Sequence, residues 1–473
     1  MPHAHREAPN PRPGGRRRSA ATLLGVGLAL ALATAACTGS GGSSAAKRSA
    51  PATLPPGPTC IKPDSGKGCL PVAPADKRVD LVKPSFSKPA SITNPLHPSG
   101  KLDQVLYGGQ VDGEPFRTEF TRLPDSRTID WNGQSIRTVT WQYLAYQDGR
   151  IQELALDRFA QADDGAVWYL GEDVADYKDG VAYTHEGTWL AGKDGPGAMI
   201  MPAHPRVGDV YRTENAPGIV FEEIAVKATD QTVPGPSGPI SGALVVRELH
   251  TDGKTEDKIF APGFGEFSTG DAKGDLEAAS LAMPTDARPG PVPAQLNSLS
   301  DAVREAFDTV GRKDWAGAAT ASAALRKAWD AYRGDAPDRL EKQMGRDVST
   351  LAATVKGRKA AQARGAALRV AQNNLDLQLR YQGVAKTDLA RLALWTRQLE
   401  VDAAAGDAGS VVGDATTLGL IQDRVRHALD PSAASELDSQ LRKLQVAADS
   451  KDVTAAAKAA PALLRTIEGL EPA

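Results

Sequence analysis

The sequence predicts a multidomain protein: an antiparallel β-rich domain, built as a curved sheet or a sandwich, followed by an all-α domain of helical-hairpin repeats. Three observations predict it. Asp-Gly pairs punctuate the middle of the chain (Asp112-Gly113, Asp148-Gly149, Asp164-Gly165, Asp179-Gly180 and Asp252-Gly253), and such pairs tolerate the positive φ of tight hairpin turns. The runs between them are rich in β-branched and aromatic residues. After Pro284, Pro289, Pro291 and Pro293 every strand signal stops, and Ala-rich helical periodicity continues to the end. A length of 473 residues leaves room for two or three domains. With 55 Lys+Arg against 58 Asp+Glu and 24% charged residues, the composition is that of a soluble globular protein with no electrostatic footprint for nucleic acid.

The first element is a targeting segment. Arg6, Arg12, Arg16, Arg17 and Arg18 precede an uncharged stretch from Ala20 to Ala36, the order of a secretory n-region and h-region. The strongly apolar part, Leu23 to Ala33, is shorter than the ~20 residues that a spanning helix needs. It closes on Thr34-Ala35-Ala36-Cys37, where small residues fit a peptidase pocket and a thiol follows the cut. Here the chain resembles bacterial lipobox lipoproteins, although Thr34 stands where that family usually has an aliphatic residue. The resemblance implies that Cys37 is lipidated and becomes the first mature residue, with a lipid anchor on the extracytoplasmic face of the cell membrane. Removing residues 1–36 takes five of the 55 basic and one of the 58 acidic residues, leaving a net charge near −7. That sign repels anionic head groups, so lipid rather than charge must hold the protein at the membrane.

Residues 37–59 read as a flexible Gly/Ser/Ala/Pro tether. Residues 60–100 form a Pro-rich extended segment in which Cys60 and Cys69, the even pair left once Cys37 is acylated, are expected to bridge. A loop this small contributes roughly 2.5–3 kcal/mol on the chain-entropy model.

The β-rich domain is placed at residues 101–283. Its clearest strands are Val139 to Tyr146, Ile151 to Phe159, Val167 to Leu170 and Val181 to Leu190. Alternation puts Val139, Trp141 and Tyr143 on one face. Further on, Val207-Gly208-Asp209 and Phe260-Ala261-Pro262-Gly263-Phe264-Gly265 bracket a second set of strands. In these motifs the chain resembles uncharacterised bacterial secreted proteins with a Tyr/Phe-Ala-Pro-Gly-x-Gly strand-turn; the resemblance implies a fold and carries no activity.

A Pro-rich linker at 284–296 leads to the α-helical repeat domain at 297–473. Turns aligned on Asp314, Lys359, Asp407 and Asp452 give an internal repeat. Four residues on stand Ala318, Ala363, Val411 and Ala456; eight on, Ser322, Ala367, Ala415 and Ala460; eleven on, Leu325, Val370, Leu418 and Leu463. These offsets share one helical face, so four helical hairpins are expected.

No Gly-x-Ser-x-Gly elbow, Walker loop or dinucleotide fingerprint occurs, no catalytic residue is assigned, and no cofactor is implied. Ser85 and Lys88 have the spacing of penicillin-recognising enzymes, but Pro84 and Pro89 flank them and make the segment a loop. Met199, Met201 and His204 offer two thioethers at alternate strand positions and an imidazole after Pro202, a soft set suited to Cu(I), whereas methionines on a strand ordinarily fill a core. Trp141, Tyr143, Trp168 and Trp189 could line a cleft for an apolar or amphipathic ligand, or simply pack between sheets. The functional expectation is a membrane-anchored binding or scaffold lipoprotein whose partner is an envelope protein or an apolar ligand. The competing classes are an extracytoplasmic enzyme acting on envelope material and a metal- or haem-handling lipoprotein. Metabolic labelling with a fatty-acid analogue should mark the wild-type chain and leave Cys37→Ser unlabelled; label retained in the variant would remove the lipobox assignment.

Overall fold

A computed structural model describes residues 52–270, 274 and 276–472. Cys37 and the signal segment lie outside these residues. The strands are β1 (Gln104–Val111), β2 (Glu114–Arg122), β3 (Thr128–Trp131), β4 (Gln134–Arg137), β5 (Val139–Gln147), β6 (Arg150–Gln161), β7 (Val167–Lys178) and β8 (Val181–Thr184), followed by β9 (Trp189–Leu190), β10 (Ala198–Met201), β11 (Val210–Ala216), β12 (Val220–Gly235), β13 (Gly238–His250), β14 (Thr255–Ala261), β15 (Gly265–Gly270) and β16 (Leu276–Met283). Fourteen of them make one sheet in the order β10-β7-β6-β5-β2-β1-β16-β15-β14-β13-β12-β11, with β8 and β9 paired to β7. Every ladder is antiparallel.

The Asp-Gly pairs are where the chain turns. Asp112 and Gly113, Asp148 and Gly149, and Asp179 and Gly180 all take positive φ, the twist that matches two-residue hairpins. Asn132 and Gly133 do the same between β3 and β4. That short hairpin stands apart from the main sheet and covers the outer face near β7, where Trp131 lies 5.3 Å from Trp168. A long twisted sheet cannot stay flat, and this one rolls until its edge strands β10 and β11 lie side by side. Packing rather than ladder bonding closes the roll: a Cβ added at Gly195, just before β10, would stand 3.0 Å from the Ala216 Cβ on β11.

The Pro-rich lead wraps this barrel. Cys60 and Cys69 are disulfide-bonded, with Cα atoms 5.1 Å apart, and Ile61 and Leu70 beside them bury against Phe221 and Leu249. The lead then touches the β11 edge through Val79 N–H to the Val210 carbonyl. It goes on to cross one end of the barrel, where Ser99 offers its carbonyl to Trp141 Nε1 at 3.0 Å.

Eight helices follow: α1 (Ala294–Gly311), α2 (Trp315–Tyr332), α3 (Asp338–Lys356), α4 (Ala360–Gln378), α5 (Val384–Ala405), α6 (Ala408–Val425), α7 (Pro431–Asp449) and α8 (Val453–Glu468). The four repeat anchors are the N-caps of α2, α4, α6 and α8. The stripe predicted four, eight and eleven residues on is buried in every repeat. The residue before each anchor, Lys313, Arg358, Gly406 or Lys451, has positive φ; only one repeat uses glycine there. α8 runs on through Pro461.

Sheet and helices share a core. Leu106, Leu281 and Met283 from the outer face of β1 and β16 belong to the same apolar cluster as α1 to α4, and Tyr146 of β5 stacks on Trp395 of α5 at 5.4 Å. Between them lies a buried ionic network. Glu119 on β2 meets Arg117 Nη2 at 2.8 Å and Arg424 Nη1 at 2.6 Å. Arg391 donates to Asp376 at 2.9 Å, Asp388 at 2.6 Å and Gln104 at 2.8 Å. Burial works against the Glu119 charge, but the guanidinium groups of Arg391, Arg117 and Arg424 outweigh it and hold the carboxyl well below the usual range. At the tip of the β7–β8 turn, a Cβ on Gly180 would stand 2.0 Å from the Gly409 carbonyl oxygen in α6. Only glycine allows that approach.

One repeat lacks a cap that the others have. Asp314, Asp407 and Asp452 each accept a hydrogen bond from the backbone N–H three residues on, at 2.9, 3.0 and 2.9 Å. Lys359 holds a matching backbone (φ −94°, ψ 82°) with no side-chain acceptor. Lys359→Asp should therefore stabilise the protein by about 1 kcal/mol in urea unfolding; an unchanged or lower midpoint would show that the cap geometry is not equivalent.

Candidate functional site in the barrel lumen

Rolling the sheet turns one face of every strand inward, and the register identifies those residues, since paired positions in a ladder share a face. Tyr211, Ile224, Glu248 and Glu256 form one row across β11 to β14. Glu214, Glu222 and His250 form the next. Val246, Lys258, Thr269 and Glu277 form a third across β13 to β16. The opposite wall is aromatic: Phe120 lies 4.6 Å from Trp141 and 6.3 Å from Tyr143, and Phe159 stacks on Tyr169 at 4.9 Å. Glu214, Glu222, His250, Glu256, Lys258, Thr269 and Glu277 of these rows line, together with the aromatic wall, a cavity of about 1010 Å³, and Tyr211, Ile224, Val246 and Glu248 lie buried beneath that lining. His97 and Ser99 of the lead form the floor of the cavity. At the other end Tyr183, 58% exposed, and Leu276, 39% exposed, also line it and mark where it opens.

The acidic wall is tightly coupled. Lys258 Nζ stands 2.6 Å from Glu248 Oε2, 3.8 Å from Glu256 and 3.6 Å from Glu266. His250 donates through Nδ1 to Glu222 Oε1 at 3.2 Å, with Nε2 3.3 Å from Glu256 and 3.6 Å from Glu248. Burial disfavours the charged imidazole, but the hydrogen bonds to Glu222 and Glu256 and the charge of Glu248 outweigh it and push His250 up to about 11. Burial and then the charge of Glu222 push Glu248 up to about 7, and burial does the same to Glu277. Four carboxylates (Glu222, Glu248, Glu256, Glu266) thus face two cations. The wall can neutralise positive charge and rejects anions.

The residues singled out in the sequence separate. Trp141 and Tyr143 line the lumen. Trp168 is buried against Trp131 beneath the outer hairpin, outside the cavity lining. Trp189 shares the face of its partner Glu172 but lies fully buried, edge-on to Tyr169 at 5.5 Å. Met199 pairs with Trp168 and is buried with Met201 in the apolar cluster that includes Trp131, outside the cavity lining, while His204 is exposed. Ser85 and Ser87 bind Asp163 in a loop without helix. The acidic wall was missed in the sequence reading. Its signal is the period-two run Leu244, Val246, Glu248, His250, continued by Glu256, Lys258, Phe260, which reads as a solvated face until closure of the sheet turns it inward.

The chain matches no family model and none of the curated proteins compared with it. Geometry alone therefore defines this site.

The floor carries a pH signature. His97 lies edge-on to Phe159 at 4.7 Å with Nδ1 3.2 Å from Ser99 Oγ, and burial lowers its pKa from 6.5 to about 4. A depressed folded value means the neutral ring is the folded form, so its contribution is complete above pH 6.5 and is lost as pH falls through 4. The stability difference between wild type and His97→Asn should shrink by about 3 kcal/mol from pH 7.5 to pH 4 in urea titrations; a difference independent of pH would mean the ring is solvated.

Proposed function

We propose that this chain is a lipid-anchored extracytoplasmic binding protein whose barrel lumen holds a neutral or cationic amphiphile. The observation that carries this reading is the cavity of about 1010 Å³ with an aromatic wall facing an acidic one. Its size is that of sites for drug-sized or larger ligands. The aromatic wall offers apolar burial and ring faces for a cation, and the surplus of carboxylates excludes fatty-acid and phosphate head groups. The lipobox at Cys37 supports the anchored location. Among the described residues no helix is long and apolar enough to cross a membrane. The helices act as scaffold: they bury the outer face of β1 and β16 and leave the lumen to the sheet.

A neutral apolar dye such as N-phenyl-1-naphthylamine should bind saturably with enhanced fluorescence, one per chain. Ala145 lines the lumen, and Ala145→Phe should weaken that binding at least tenfold while an anionic naphthalene sulfonate binds poorly to both proteins. Equal dye affinity in Ala145→Phe, with its fold intact by circular dichroism, would place the dye elsewhere and defeat this reading.

A further inference from the structure

The described residues contain one group of histidine and carboxylate side chains close enough to share an ion: Glu222, Glu248 and His250, with one ligand atom from each all within 4.8 Å of one another. We propose that these three residues bind a divalent first-row transition metal on the lumen wall. Two neighbouring strands supply them, Glu222 from β12 and the alternate positions Glu248 and His250 from β13. Glu222 pairs directly with His250 in the ladder, so backbone hydrogen bonding sets their separation.

The spacing is near what such an ion requires. Donors held at ~2.0–2.1 Å from a tetrahedral centre lie about 3.3 Å apart; His250 Nε2 stands 3.6 Å from Glu248 Oε2, and one ligand atom from each of the three residues lies within 4.8 Å of the others, so small side-chain shifts bring one imidazole nitrogen and two carboxylates to an ion. One imidazole with carboxylates suits zinc, manganese or iron(II), whereas calcium would need six or more oxygens. In this structure Lys258 neutralises Glu248 at 2.6 Å and both His250 ring nitrogens face carboxylates, so the ion must displace this ammonium and one imidazole proton, and binding releases that proton to solvent and weakens as pH falls. Lys258 has Glu266 at 3.6 Å as a second carboxylate to which its flexible stem can swing.

A second observation points the same way. Tyr211 is wholly buried, and its hydroxyl has no hydrogen-bond partner. It occupies the row that continues through Ile224 to Glu248, two strands away on the same face of the sheet. A buried hydroxyl without a partner costs about 1–3 kcal/mol. A water ordered by the ion at this wall would accept a hydrogen bond from it. Metal and amphiphile need not depend on each other, because the three ligands lie on the acidic wall and the dye site on the aromatic one.

The test is isothermal titration of the full chain, made without a histidine tag, with Zn²⁺ alone, together with the visible spectrum of the Co²⁺-loaded protein. One Zn²⁺ per chain is expected, with affinity at least about tenfold weaker in His250→Gln and in Glu222→Gln and several-fold weaker in Tyr211→Phe. The Co²⁺ spectrum of the wild type should show the intense bands of a low-coordinate nitrogen and oxygen site. Absence of Zn²⁺ binding to the wild type, or affinity unchanged in Glu222→Gln, would overturn the proposal. So would a Co²⁺ spectrum of hexa-aqua intensity, which decides the matter even if His250→Gln fails to fold. Dye binding that persists in His250→Gln would separate loss of the metal site from loss of the lumen.

Discussion

Three carboxylates and three guanidinium groups between sheet and helices, all buried except the half-buried Arg117, are the constraint on which the architecture depends. Arg117 and Glu119 come from β2, Asp376 from α4, Asp388 and Arg391 from α5, and Arg424 from α6. Taking such groups out of water costs several kcal/mol each, and their mutual attraction repays this only when every partner is present and well placed. The pose of the helices on the barrel is thereby restricted: a slide of one helical turn would leave an unpaired charge in a dry interface. Apolar contact at Leu106, Leu281 and Met283 supplies attraction without direction. The ions supply the direction.

The same division of labour explains why the lumen stays open. A sheet of fourteen strands has more inner surface than its own side chains fill at this curvature, and among the described residues no helix occupies the interior. The helices instead take the outer face of β1, β16 and the β5 to β7 region. The lead fills only the floor, through His97, Ser99 and Leu102. What remains is a chamber whose two walls differ in emphasis: β11 to β16 bring most of the coupled carboxylates inward with Phe260 among them, while β2, β5, β6 and β7 bring most of the rings with Glu153, Asp157 and Asp176 among them.

The fold was legible because its punctuation is local. Asp-Gly turns and a helical stripe at fixed offsets are written within a few residues of the structure they cause, so the meander and the eight helices follow from pattern alone. Strand ends were less so: the expected strand from Val167 to Leu170 runs on to Lys178, and the run from Val181 to Leu190 breaks into β8 and β9. The site was half legible. Trp141 and Tyr143 alternate with polar neighbours and so declare a face, but Trp168 and Trp189 carry the same composition and lie in packed surroundings. Glu248 and Lys258 could not be placed, because a charged residue at every second position looks the same whether its sheet is open to water or closed upon it. Arg391 and Arg424 were hidden for a related reason, since helix periodicity does not say which face another domain will cover.

The path of the lead also governs how the molecule would respond to mechanical force. Residues 52–54 pair with 81–83, through Leu54 N–H to the Leu81 carbonyl at 2.7 Å and Lys83 N–H to the Ala52 carbonyl at 2.9 Å. A pull on the N-terminal side therefore loads this short clasp first. The next resistance is the packing of Ile61 and Leu70 against Phe221 and Leu249, with the disulfide between Cys60 and Cys69 shortening the slack there, and after it the Val79 contact with the barrel edge at Val210. The floor residues His97 and Ser99 come last in that sequence. Tension along the lead would be spent on the outside of the barrel before it could unplug the chamber.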